Sequence, residues 1–92
     1  MTEISLPKKV QISDNVLFQQ ISGECVLLNM ESEQYFGLDE VGARIWELLA
    51  EEEDTQKVLE QLLAEYEVDE TTLKQDLSKL LSELETEKLI TI

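Results

Sequence analysis

Gln34-Tyr35-Phe36-Gly37-Leu38-Asp39-Glu40-Val41-Gly42-Ala43-Arg44-Ile45-Trp46-Glu47-Leu48-Leu49 is the stretch that decides the fold, because its hydrophobic period changes partway. Gln34 to Leu38 is short and rich in aromatics, as an extended run is. Beyond it Val41, Ile45, Leu48 and Leu49 recur on one stripe at helical spacing, with Trp46 at the flank. Asp39 stands at the join, where a side-chain oxygen caps the free amides of a first helical turn. Gly42 falls on the same side, and its missing side chain permits a close backbone approach. A strand running into an amphipathic helix is therefore expected. Three of the five aromatics and two of the three glycines lie in this stretch, which makes it the shape-determining part of the chain.

Upstream, the chain reads as extended. Val10 and Ile12 form one short piece, Asp14-Asn15 a turn, and Val16 to Ile21 a strand. Ser22-Gly23-Glu24 supplies a tight turn into a second β-rich run, Cys25 to Asn29. The polar bend Glu31-Ser32-Glu33 leads into Gln34 to Leu38 as the third strand. A three-stranded antiparallel meander is the simplest arrangement, and it leaves the third strand at an edge.

Downstream, the carboxylate run Glu51-Glu52-Glu53-Asp54 opposes the negative end of one helix dipole and suits the start of the next. Asp54 or Thr55 caps a second helix with an apolar face of Val58, Leu59, Leu62, Leu63 and Tyr66. After the short connection Glu67-Val68-Asp69, Asp69 caps a third helix striped by Leu73, Leu77, Leu80, Leu81 and Leu84. Two helices so closely joined form a helix-turn-helix pair. Leu89-Ile90-Thr91-Ile92 ends as a short extended segment. The expected class is α+β, with residues 1–9 as an extended N-terminal arm and residues 10–92 as one domain.

The chain has 92 residues, a size that buries one core and no second domain. Twenty-one acidic residues against seven basic ones give a net charge of −14. Nucleic acid and anionic membranes are repelled by such a surface, while a basic or neutral partner is tolerated. One cysteine, Cys25, excludes an internal disulfide and reads as a small apolar residue. No signal segment and no membrane-length apolar run is visible, so a cytoplasmic location is expected.

Without histidine, neither the common zinc sites nor Ser-His or Cys-His nucleophile pairs can be assembled. Gly23, Gly37 and Gly42 match no phosphate-binding glycine fingerprint. The acidic run Glu51 to Asp54 lacks calcium-loop spacing and reads as solvated caps. No catalytic residue, metal or cofactor is expected. The helix-turn-helix invites a DNA-binding reading, but beyond its leucines the third helix and its end offer Lys74, Gln75, Lys79 and Lys88 against Glu70, Asp76, Glu83, Glu85 and Glu87. That balance suits no major groove. What remains is a module that binds a peptide or protein. An edge strand offers unpaired backbone groups that an extended peptide can complete, with Tyr35 and Gly37 facing one way and Phe36 and Leu38 the other.

The run Val26-Leu27-Leu28-Asn29, then Tyr35-Phe36-Gly37-Leu38-Asp39-Glu40-Val41-Gly42-Ala43-Arg44-Ile45-Trp46, and farther on Asp76-Leu77, Leu80-Leu81, Leu84 and Leu89-Ile90, resembles the PqqD-like family of peptide-recognition domains. Its stand-alone members in lasso-peptide biosynthesis are the most similar. Two departures are visible: acids Glu51 to Asp54 replace a glycine-containing turn, and Glu87-Lys88 stands where a glycine often precedes the final Leu-Ile. The resemblance implies a winged helix-turn-helix that captures the leader segment of a ribosomally made precursor as an added strand. It implies a backbone ladder on Gln34, Tyr35, Phe36, Gly37 and Leu38, an apolar groove side from Leu73, Leu77 and Leu80, and a polar or basic leader contact at Asp76. Leaders of the lasso group often carry a tyrosine and a proline separated by two residues, which implies two apolar pockets. The implied partners are the precursor leader, a leader peptidase and a macrocyclase. The alternatives are a peptide chaperone of a quinone-cofactor or radical-enzyme pathway and a winged-helix DNA-binding regulator.

Overall fold

The computed structural model describes residues 6–22 and 24–92. Its elements are β1 (Gln11–Ile12), β2 (Val16–Ile21), β3 (Glu24–Asn29), β4 (Gln34–Leu38), α1 (Glu40–Glu51), α2 (Thr55–Glu65), α3 (Glu70–Thr86) and β5 (Ile90–Thr91). The expected meander is the antiparallel sheet β2-β3-β4, with β2 and β4 at its two edges, and three helices follow it. Residues 1–5 of the expected arm, and Gly23 of the expected first turn, lie outside the described residues.

The phase of the sheet follows from one bond. Val16 is opposite Asn29, and the Met30 N–H donates to the Asn15 carbonyl just beyond that pair (2.8 Å). Bonded pairs alternate with non-bonded ones in an antiparallel ladder. Leu17–Leu28, Gln19–Val26 and Ile21–Glu24 are therefore the bonded pairs of β2 and β3. Cys25, Leu27 and Asn29 turn their amides the other way, to Leu38, Phe36 and Gln34 of β4. The backbone groups of Tyr35 and Gly37 consequently point off one edge of the sheet, and those of Val16, Phe18 and Gln20 off the other.

Side-chain alternation puts Leu27 and Leu38 into the core with Phe36 and Cys25 half-buried beside them, and leaves Leu17 and Tyr35 on the outer face. The helices cover the inner face through Ile45 and Leu49 of α1, Leu59 and Leu62 of α2, and Leu77, Leu81 and Leu84 of α3, each at most 2 % exposed. Each helix starts at the expected aspartate. Asp39 accepts from Gly42 N–H (2.7 Å), Asp54 from Gln56 N–H (2.9 Å) and Asp69 from Thr72 N–H (3.3 Å). Gly42 fits tightly beneath that first cap, where a Cβ would meet Asp39 Oδ1 at 3.0 Å and Leu38 Cδ2 at 3.3 Å. The stripe of α1 is rotated from its expected position: Trp46 is in the core, while Val41 in the first turn is exposed.

A second sheet is absent from the sequence reading. β1 and β5 pair antiparallel, Gln11 with Thr91 and Ile12 with Ile90, so the two short extended pieces close on each other. Val10, Leu89 and Ile90 are buried there. The adjoining arm is stitched to the α1–α2 connection: Val10 N–H donates to Glu53 C=O (3.0 Å), Thr55 N–H to Lys8 C=O (3.2 Å), and the buried Thr55 hydroxyl to Pro7 C=O. At the other end of the ribbon, Leu89 N–H reaches Leu84 C=O and Lys88 N–H reaches Glu85 C=O (both 2.9 Å). This double bond pattern closes α3 with Lys88 in the left-handed region, φ 59°.

Candidate functional site

β4 is held on one side only. Its inner bonds fix Gln34, Phe36 and Leu38 against β3, and among the described residues no strand lies on its other side. The open ladder therefore consists of the N–H and C=O groups of Tyr35 and Gly37, spaced as an incoming strand requires. Around Gly37 a Cβ would meet nothing within 4 Å. Packing does not demand glycine there; its effect is to leave the edge low and uncovered. Tyr35 is 64 % exposed on the outer face.

The residues carried over to α3 divide by burial. Leu77 is fully enclosed and Leu73 nearly so, which makes both part of the core floor. Leu80 is half-buried and Asp76 exposed, so these two present surface. The structure brings Leu73 and Asp76 together with Val41 at a small cavity of about 100 Å³, completed by Tyr66, Val68 and Thr72. Val41 begins α1 directly after β4, so this slot lies between the edge-strand's exit and α3. Val41, Tyr66 and Val68 were not among the sequence-derived site residues. The exposure of Val41 at the start of an otherwise buried stripe is the one signal that marks it.

A wider hollow of about 740 Å³ opens where β4 runs into α1, lined by Gly37, Leu38 and Ala43 and by the acids Glu24, Asp39, Glu40 and Glu47. At the opposite end of β4, Leu28, Met30, Glu33 and Tyr35 border a shallower one of about 450 Å³. Both hollows beside β4 mix apolar and acidic residues, with Glu24, Asp39, Glu40 and Glu47 in the wider and Glu33 in the shallower. Residues 16–38 contain no lysine or arginine at all. Cationic or neutral side chains flanking an extended peptide are suited to this field.

The cation nearest in sequence, Arg44, is committed elsewhere. Its Nε and Nη2 donate to the two carboxylate oxygens of Glu65 at 2.8 and 2.6 Å, clasping α1 to α2. The guanidinium, helped by Gln61 Nε2 at 2.8 Å, holds the Glu65 carboxyl down to about 2. Among the described residues no group of three or more Cys, Asp or Glu side chains is placed to hold a metal, and no helix is long and apolar enough to cross a membrane.

Residues 24–90 match the family model of coenzyme PQQ synthesis protein D (PqqD). The solved structure of TbiB1 in complex with the TbiA(beta) leader peptide is 41 % identical, with a TM-score of 0.80 over 87 % of this chain and 93 % of that one. A lasso peptide synthetase B1 complexed with the leader peptide is similar in fold at 24 % identity, with a TM-score of 0.81 over 91 % and 99 % of the two chains. No curated relative matches the sequence.

Proposed function

The chain belongs to the PqqD family, and on that premise we propose that it is a non-catalytic recognition protein for the leader segment of a ribosomally made precursor, of the lasso-peptide type. The observation that carries this reading is the uncovered β4 edge, with the Tyr35 and Gly37 amides facing outward, in a chain 41 % identical to one solved with a leader peptide. The leader adds to β4 as a further strand, bonding through its backbone. Side chains on its inner face reach toward the slot at Val41, Leu73 and Asp76 and toward Leu80, while Leu77 supports these from below. Gln34, Phe36 and Leu38 hold the edge in place through β3 instead of bonding the peptide themselves.

Main-chain bonds supply affinity that any extended peptide could claim, and the slot and the acidic residues beside β4 supply selection. With no histidine and one cysteine, chemistry is left to partner enzymes. The protein's contribution is to hold the precursor at a raised local concentration for a leader peptidase and a macrocyclase in the cytoplasm. The test is a fluorescence-anisotropy titration with a synthetic leader from the neighbouring precursor, beside duplex DNA at moderate salt. Saturable leader binding without DNA binding is expected. Tight DNA binding with no saturable peptide binding overturns the reading.

A further inference from the structure

The sheet has a second open edge, and it differs from the first in one respect that decides its use. β2 reads Val16-Leu17-Phe18-Gln19-Gln20-Ile21, without a charge or a proline, and Asn15 and Ser22 at its two ends are neutral as well. Solvent-facing edges are ordinarily blunted by lysine, proline or inward charge. Here Leu17, Phe18 and Ile21 are 41, 38 and 53 % exposed on one short strand. Among the described residues no backbone group bonds to the outward side of Val16, Phe18 or Gln20.

We propose that β2 is a self-association edge, on which two copies of this chain pair antiparallel about Phe18. In that register the outward groups of Phe18 bond to those of Phe18 in the other copy, and Val16 faces Gln20. The two phenyl rings lie opposite each other on the helix side of the joined sheet, a favourable cross-strand pair. Asp14 falls opposite Ser22 at the strand ends, and Glu24 lies behind Ile21 on β3, so no acid stands directly opposite another along the seam. β4 is less suited. It is bracketed by Glu33 and Asp39, and pairing two copies about Phe36 sets Asp39 of each against Glu33 of the other. The two edges are thereby sorted by charge: the acid-flanked one suits a foreign strand, and the neutral one suits a copy of itself. The joined sheet runs β4-β3-β2-β2-β3-β4, which leaves both peptide edges outermost and open. One strand pair is a small interface, and each copy carries a net charge of −14, so the dimer is weak and strengthens with ionic strength as screening removes the general repulsion.

The test is sedimentation equilibrium of the full chain over a wide concentration range at low and high salt. A monomer–dimer equilibrium that tightens with salt is expected, weakened about tenfold or more in both Phe18→Lys and Phe18→Glu. Mixing those two variants should restore the dimer, because the seam places position 18 opposite itself. Circular dichroism accompanies each variant. Should either fail to fold, Phe18→Cys in a Cys25→Ala background reads the same register, since the close Cα spacing of a bonded pair lies within disulfide range and oxidation should yield a covalent dimer. A wild-type monomer at every concentration, a dimer untouched by the Phe18 variants, or a Phe18→Cys chain that folds but does not cross-link overturns the proposal. A dimer that dissolves on adding leader also overturns it, by assigning the seam to β4. Leader affinity measured on the monomeric variants judges the peptide-binding reading separately.

Discussion

Asn29, buried in the last position of β3, donates from Nδ2 to the Glu87 carbonyl at 3.2 Å, a bond between residues 58 positions apart. Its Oδ1 accepts from Glu31 and Ser32 N–H at 3.0 and 3.2 Å. One side chain thus shapes the turn into β4 and anchors the chain leaving α3. Asn29→Ala removes three part-buried hydrogen bonds at once and should cost about 1–3 kcal/mol in chemical denaturation. Leader affinity should fall with it, because the turn aims the edge strand. A variant with wild-type stability would show that the network is dispensable.

Lys88 holds φ 59° at the end of α3, where glycine is free of the Cβ clash that other residues bear. Lys88→Gly should stabilise the domain by about 0.5–1 kcal/mol while leaving leader affinity unchanged. Denaturant midpoints of the two proteins settle the sign. A destabilised variant would mean that the Lys88 side chain contributes more than the backbone strain removes.

Proline distinguishes the two sides of β4. Tyr35→Pro removes an outward N–H and spares the β3 ladder, so the fold should persist with leader binding reduced tenfold or more, about 1.4 kcal/mol. Phe36→Pro removes an inner bond to Leu27 and should lower stability instead. Circular dichroism and anisotropy on both variants must separate in this way; equal loss of fold in the two would refute the assigned phase.

In α3, Asp76→Ala should weaken binding of a leader that carries a basic residue and leave stability within about 0.5 kcal/mol, the usual range of a surface substitution. Leu77→Ala, by contrast, empties a fully enclosed position and should cost about 2–5 kcal/mol. Anisotropy at low and high salt checks the first, since a charge contact fades with screening. Unchanged affinity at both salts would remove Asp76 from the site.

Glu65 is held at about 2, against 4.5 for an unperturbed group, first by its bonds from Arg44. Because the folded value is the lower one, the clasp contributes fully above about 4.5 and loses that contribution as pH falls toward 2. The stability difference between wild type and Glu65→Gln should therefore shrink steadily over that interval. Denaturation curves at pH 7, 4, 3 and 2.5 measure it. A difference independent of pH would show that the pair does not act through its charge.

The strand-to-helix join at Asp39 and the leucine stripe of α3 were legible because period and caps are local properties, and each aspartate cap lies where its neighbours imply. The ribbon of β1 and β5 was not. Two-residue strands carry no periodicity, and their partner is at the other end of the chain. Burial within a stripe was equally hidden, since spacing gives the face but not which leucines lie deepest, and so Leu77 and Leu80 read alike in sequence. The phase of the β4 amides depends on the Met30–Asn15 bond across a neighbouring strand, a tertiary fact that composition does not encode.

The ribbon also orders events in time. Gln11 meets Thr91 only across nearly the whole chain, whereas β2, β3 and β4 are joined by consecutive hairpins. Local closures form quickly, and distant ones wait on the search that brings the ends together. Sequence separation therefore favours early assembly of the sheet that carries β4, while the seal over Val10, Leu89 and Ile90 waits on the meeting of the chain ends. While it is being synthesised, the chain has all the residues of its recognition edge well before those needed to shut its interior.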